Sequence, residues 1–205
     1  MSLFLVILAA GDSKRFKSSI PKPFYKINNK TLLEHSFNAF KNFIKIKKTI
    51  VVYNKKHKKY LKNIKLKNSL KIAGGNTRQE STLKALKFIK KMNCKKILIH
   101  DAARPNPSKR LINEIINKLN YNDAVVPVIK TNDATKRVKK NFIFKNIKRD
   151  SLNFSQTPQG FNFSKIFKKH KKNSNHLFDD DSALFTINGE KVLVVKGSKA
   201  NLKIT

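Results

Sequence analysis

The first residues able to do chemistry stand where an apolar run, residues 3–8, gives way to Ala9-Ala10-Gly11-Asp12-Ser13-Lys14-Arg15-Phe16 and then Pro21-Lys22-Pro23-Phe24. Small residues let a backbone approach a ligand closely, and a glycine can turn through φ > 0 to aim successive N–H groups at an anion. Lys14, Arg15 and Lys22 then supply positive charge at the rim. The pattern is a phosphate cradle, but it has neither the spacing of a Walker loop nor G-x-G-x-x-G. Taken alone, it equally describes a strand-to-loop turn with solvated lysines.

Two stretches downstream suit the same chemistry. In His100-Asp101-Ala102-Ala103-Arg104-Pro105 a carboxylate stands immediately past an apolar run, a common place to hold Mg²⁺ against a substrate phosphate with few protein ligands. Arg104 is expected to pair with Asp101 or with a phosphate. In Gly74-Gly75-Asn76-Thr77-Arg78-Gln79-Glu80-Ser81 a glycine turn precedes a helix start, whose free N–H groups accept ligand oxygens. Ser81 and the local backbone could read a pyrimidine edge. Each has a plainer reading, a structural Asp–Arg pair or a tight turn.

The elements that must position these residues follow from periodicity. Thr31-Leu32-Leu33-Glu34 and Thr77-Arg78-Gln79-Glu80 carry capping-box spacing, each followed by apolar residues at helical intervals. Pro107-Ser108 opens another helix with Leu111, Ile112, Ile115, Ile116 and Leu119 as its stripe. Residues 49–53, 70–73, 97–100 and 124–128 read as short buried strands, and 192–195 as a late one. Strands alternating with helices predict an α/β fold, a mostly parallel twisted sheet covered by helices on both faces. In such a sheet ligands bind beyond the carboxyl ends of the strands, where the opening loop, Gly74-Gly75 and Asp101 would meet. Residues 135–138 and 142–147, joined by Lys139-Lys140-Asn141, predict a projecting β-hairpin arm within residues 133–150. Residues 163–170 suit a helix, and Asp179-Asp180-Asp181 an acidic cap for another.

A chain of 205 residues with 40% hydrophobic content fits a single domain, residues 1–205. The apolar start is too short to span a bilayer, and one cysteine, Cys94, excludes an internal disulfide, so the cytoplasm is the expected compartment. A formal charge of +34 would ordinarily indicate nucleic acid, but only six of the 46 basic residues are arginine and lysine is spread along the whole chain. A nucleic-acid reader concentrates arginine and aromatics on one element. Drift toward lysine at indifferent surface positions accounts for the excess, and no nucleic-acid or membrane partner is expected.

The ordered series of these motifs, continued by Gln156-Thr157-Pro158-Gln159-Gly160-Phe161 and Asn201-Leu202-Lys203-Ile204-Thr205, resembles the 2-C-methyl-D-erythritol 4-phosphate cytidylyltransferases of the non-mevalonate isoprenoid pathway over nearly the whole chain. The resemblance implies a nucleotide-diphospho-sugar transferase-like fold and Mg²⁺-dependent transfer of CMP from CTP to a polyol phosphate, with release of pyrophosphate. It implies catalytic roles for Arg15 and Lys22 at the α-phosphate, and for Arg149 and Lys203 at the attacking phosphate. It assigns Ala9, Ala10, Gly11, Gly75, Asn76, Arg78 and Ser81 to CTP and Asp101 to the metal. It also implies a homodimer in which the arm reaches the partner's site.

Departures from the family pattern are Ser13 for a second loop glycine, Pro23 for a glutamine, and a stretched segment over residues 127–136, where Thr131 and Thr135 are both candidates to meet substrate. Ala200 stands where some members have an acid, so no second metal carboxylate is offered there. The usual terminal helix does not follow Thr205, as expected of a short member or of the first half of a fusion with the next pathway enzyme. Ribitol 5-phosphate or another polyol phosphate is the alternative acceptor, and a basic nucleic-acid-binding protein is the alternative of a different class.

Overall fold

A computed structural model gives the fold and describes residues 2–12 and 16–205; Arg15, with Ser13 and Lys14, lies outside the described residues. Strand β1 (Leu3–Ala9) leads into a small hairpin, β2 (Lys26–Ile27) and β3 (Lys30–Thr31), then helix α1 (Leu32–Phe40) and strand β4 (Ile46–Tyr53). After a 3-10 stretch, Lys55–Asn63, come β5 (Ser69–Ala73), α2 (Arg78–Ile89), β6 (Lys96–Asp101), α3 (Lys109–Lys118) and β7 (Ala124–Lys130). The hairpin β8 (Thr135–Lys139) and β9 (Phe142–Ile147) precedes β10 (Asn153–Ser155), β11 (Gln159–Asn162), α4 (Phe163–Lys172), the one-turn α5 (Ala183–Thr186) and β12 (Leu193–Lys196).

The main sheet runs β10-β7-β11-β6-β1-β4-β5, with β12 also paired to β7. β1 is parallel to β4 and β6, β4 to β5, and β12 to β7, whereas β10 and β11 run antiparallel to their neighbours. Pro127 O accepts from Gln156 N–H and Val128 O from Gly197 N–H. Successive carbonyls of a strand point to opposite edges, so the 153–162 segment flanks β7 on one side and β12 on the other.

Alternation along β1 divides the core. Leu3, Leu5, Ile7 and Ala9 join the cluster containing Leu33 and Phe37 of α1 and Leu111, Ile112 and Ile115 of α3. Phe4 and Val6 join Ala85, Leu86 and Ile89 of α2 and Phe163 and Ile166 of α4 on the other face. The sheet is therefore covered on both faces, as its strand–helix alternation predicts. Cys94 is buried in the second cluster, and burial pushes its thiol pKa up to about 12.

Three local expectations change. The 159–162 segment, expected only as a motif, is a strand inserted between β6 and β7; a Cβ on Gly160 would stand 2.9 Å from Ile115 Cγ2, so only glycine lets α3 lie this close. The arm turns on two residues, Lys140 and Asn141, both at positive φ, and Lys139 pairs with Phe142; this is the I′-type geometry that matches strand twist. Gly11 is not at positive φ, and a Cβ on it would meet nothing within 4 Å among the described residues, so neither turn geometry nor packing against them demands glycine there.

The α1 capping box is reciprocal. Thr31 Oγ1 accepts from Glu34 N–H at 3.1 Å, while Glu34 Oε2 accepts from Thr31 N–H at 2.8 Å. Burial raises the Glu34 pKa, but the Thr31 and Lys65 hydrogen bonds outweigh it and hold the carboxyl below its ordinary value. Stability from this group is therefore present above the unfolded carboxylate pKa and is lost as pH falls through the lower folded one. Thr31→Ala is expected to cost about 1 kcal/mol at neutral pH and to flatten the part of the acid-side decline owed to Glu34, both measurable by urea titration across acidic to neutral pH.

Candidate active site

The carboxyl ends of β1, β5 and β6 open on one cleft of about 340 Å³, walled by Ala9, Ala10, Gly11, Asp12, Lys22, Asn76, Arg78, Ser81, Asp101 and Lys203 among others. Parallel register sets the floor, since Leu8 pairs with Asp101 across β1 and β6. Gly74 brings the β5–α2 turn against β1; a Cβ there would lie 2.6 Å from Ala10 Cβ and 2.7 Å from Ser81 Oγ. Asn54, at the end of β4, donates from Nδ2 to Ala10 O at 3.2 Å and to Asp12 Oδ1 at 2.9 Å, fixing the opening turn.

Asp101 is the electrostatic centre. Its carboxylate takes Arg78 Nε at 3.3 Å on one oxygen and Lys203 Nζ at 2.8 Å on the other. Burial raises its pKa, yet Arg78 and Lys203 together hold it well below the ordinary carboxylate range. Its backbone N–H donates to Thr157 Oγ1 at 3.1 Å, and that hydroxyl meets His100 Nδ1 at 3.0 Å. His100 Nε2 lies 2.9 Å from Arg104 O, a carbonyl that can only accept. The proton therefore sits on Nε2, leaving Nδ1 to accept from Thr157. Burial lowers the His100 pKa to about 4, which keeps this neutral tautomer at physiological pH.

The C-terminal segment closes the cleft. Arg104 Nη1 donates to Asn201 O at 2.8 Å and Nη2 to Ser155 O at 3.2 Å, so Arg104 clamps this segment rather than Asp101. Asn201 Nδ2 donates to Thr157 O at 2.8 Å, and Gln156 Nε2 to Ser198 O at 2.9 Å. These bonds deliver Lys203 to Asp101 and Ile204 O to Lys22 Nζ, 3.1 Å away.

The expected residues mostly converge. Ala9, Ala10, Gly11, Lys22, Asn76, Arg78, Ser81, Asp101 and Lys203 line the cleft; Gly75 flanks it, its N–H donating to Ser81 Oγ at 3.0 Å. Glu80 binds Asn76 N–H at 2.8 Å rather than that of the cap residue Thr77, so the second capping box is not reciprocal. Arg149 lies apart from this cleft, at the base of the arm, donating to Asn132 O at 3.2 Å. Of the acidic run, Asp180 caps α5 by accepting from Ser182 and Ala183 N–H. Asp181 does not cap; it is buried against Arg78, 2.7 Å away, and His170, 2.9 Å away. A run of three acids in so basic a chain was the available signal.

Among the described residues no group of three or more His, Cys, Asp or Glu side chains gathers as a metal cage. Asp101 and Asp12 are the acids of the cleft wall, a donor set that fits Mg²⁺, which takes one or two carboxylates and leaves its other positions to phosphates and water.

Fold and cleft together define an α/β domain with a cation-lined cleft beyond the carboxyl ends of its parallel strands, the place where ligands bind in such sheets. Comparison with known proteins narrows the class: the family model described as "IspD: 2-C-methyl-D-erythritol 4-phosphate cytidylyltransferase" matches residues 3–205, and the chain belongs to that family. It is 45% identical over its full length to the bifunctional enzyme IspD/IspF of Pelagibacter ubique and spans 55% of that enzyme's length. It is 38% identical to the 2-C-methyl-D-erythritol 4-phosphate cytidylyltransferase of Thermosipho melanesiensis, with 98% of this chain and 91% of the relative covered. The crystal structure of the Francisella tularensis enzyme of that name superposes with a TM-score of 0.86 at 29% identity, covering 100% of this chain and 94% of the other. No helix among the described residues is long and apolar enough to cross a membrane.

Arg104→Lys keeps the charge but cannot bridge Asn201 O and Ser155 O at once. Losing one such bond, about 1.5 kcal/mol, should speed hydrogen exchange at the Ile204 amide about tenfold while leaving β6 amides unchanged.

Proposed function

We propose that this domain transfers CMP from CTP to 2-C-methyl-D-erythritol 4-phosphate in isoprenoid precursor synthesis. The observation that carries the reading is the gathering, around one cleft, of residues from five stretches between Ala9 and Lys203 that the family pattern assigns to nucleotide, metal and phosphate. In the reaction an oxygen of the acceptor phosphate attacks the α-phosphorus of CTP in line. One P–O bond forms as the bond to the β-bridging oxygen breaks, and pyrophosphate leaves with the electron pair. No covalent enzyme intermediate is needed, so the protein contributes positioning and fixed charge.

Ala9, Ala10 and Gly11 give the nucleotide close access to the backbone, and Gly75, Asn76 and Ser81 offer polar contacts from the adjoining β5–α2 turn and the first turn of α2. Arg15 and Lys22 act as fixed cations at the α-phosphate. Lys22 exchanges Ile204 O for a phosphate oxygen as substrate enters, and Lys203 turns from Asp101 toward the acceptor phosphate. Asp101 would hold Mg²⁺, which when bound neutralises triphosphate charge and polarises a phosphoryl oxygen. Arg149 completes the site of a partner subunit in this reading. The arm's exposed apolar residues support it: Val138 and Ile143, paired across the hairpin, lie on one face and Phe142 and Phe144 on the other, and burial in a homodimer would take them out of water.

A pyrophosphate-release assay with CTP and each of methylerythritol phosphate and ribitol 5-phosphate tests the reading; faster turnover of the ribitol substrate would overturn the acceptor assignment. Lys22→Ala or Arg15→Ala should lower kcat by about 10²–10³, by analogy with a lost oxyanion donor, with a smaller change in the KM for CTP. Mixing Arg149→Ala with Lys22→Ala subunits should restore about a quarter of wild-type activity if sites are shared across the dimer, by random pairing of protomers.

A further inference from the structure

The Arg78 guanidinium is held by two carboxylates on unequal terms. Nη1 meets Asp181 Oδ2 at 2.7 Å, within the range of a charge-assisted bond, whereas Nε meets Asp101 Oδ1 at 3.3 Å, beyond it. The Asp181 side chain is 1% exposed against 11% for Asp101. Nη2 is buried and has no hydrogen-bond partner among the described residues. Arg78 lines the cleft and begins α2, so its one unused nitrogen belongs to the side chain that the proposed function assigns to CTP.

Asp181 is itself braced from behind. Its second oxygen takes His170 Nε2 at 2.9 Å, with both side chains 1% exposed. Neighbouring Asp180 accepts from Ser155 Oγ at 2.6 Å and from Gln159 Nε2 at 2.8 Å, tying the turn to β10 and β11. Gln79, next to Arg78, donates to Asn173 O at 2.8 Å and accepts from Phe178 N–H at 3.1 Å. The 170–183 segment is thus fastened to the start of α2 at several points, and among the described residues its charged contact with the cleft runs through Arg78.

We propose that Asp181, backed by His170, is a positioning residue that holds Arg78 for the nucleotide independently of Asp101. The division follows from the geometry. Asp101 faces the cleft, and in the proposed reaction it must answer to ligands there, so its hold on Arg78 varies through the cycle. Asp181 faces the interior and keeps the same two partners throughout. The inference rests on the assignment of CTP to this cleft, and it adds two residues that touch neither substrate nor metal.

The test uses the full chain and CTP as the probe, with affinity by calorimetry in chelator, steady-state kinetics, and melting temperature for every variant. Asp181→Asn preserves shape but removes the charge and should weaken CTP about tenfold and raise its KM similarly, with kcat within about threefold of wild type. Asp181→Glu, which keeps the charge, should recover part of that loss. His170→Phe leaves Asp181 with Arg78 alone and should weaken CTP two- to fivefold; it serves as the main variant if Asp181→Asn does not fold. Unchanged CTP affinity in a folded Asp181→Asn or His170→Phe protein would overturn the inference, as would a fall confined to kcat. Failure of the wild-type chain to bind CTP would instead sink the functional assignment beneath it.

Discussion

A single buried carboxylate, that of Asp101, organises the functional half of the molecule. Taking an ionised acid out of water costs several kcal/mol after relaxation, and an isolated one would protonate instead. Two unit charges about 4 Å apart attract by about 4 kcal/mol at an effective dielectric of about 20, and Asp101 has two such partners, Arg78 and Lys203. They come from the start of α2 and from the C-terminal segment, so keeping one group ionised also holds those two distant parts of the chain against the end of β6. The neutral His100 and the Thr157 hydroxyl fix the backbone from which that carboxylate projects.

The charge network also explains why some basic residues are arginine in a chain dominated by lysine. Arg78 reaches two carboxylates with different nitrogens, and Arg104 reaches two carbonyls with the two tines of its fork. An ammonium is a compact point charge without that planar, two-way reach. The lysines of the 3-10 stretch Lys55–Asn63 need only be soluble; of that stretch Leu61 alone is buried. Composition drifts where solvation is the sole demand and stops where geometry is demanded.

What could be read from the residues beforehand divides along the same line. Apolar runs, cap residues and turn chemistry are local, and they placed β4, β6, α1, α2, α3 and the 135–147 hairpin close to where the structure has them. The cleft was legible as a set of motifs, because small residues, glycines and isolated charges keep their meaning wherever the chain takes them. The antiparallel insertion of β11 was not, since Gln159-Gly160-Phe161-Asn162 has little strand character of its own and is held by β6, β7 and the closeness of α3. Nor was the role of Asp181, whose partners lie on α2 and α4. A carboxylate in a short acidic run reads as a cap until the fold shows that Asp180 takes that work.

Cys94 has a practical meaning. With the only thiol of the chain buried and its pKa pushed up to about 12, almost none of it is thiolate at neutral pH, and thiolate is the form that alkylating dyes attack. The native protein therefore offers a quiet background for cysteine-directed fluorophores or spin labels. A probe introduced at an exposed position of the arm, such as Lys140, would report on that position alone, without first stripping the chain of its own sulfur nucleophile.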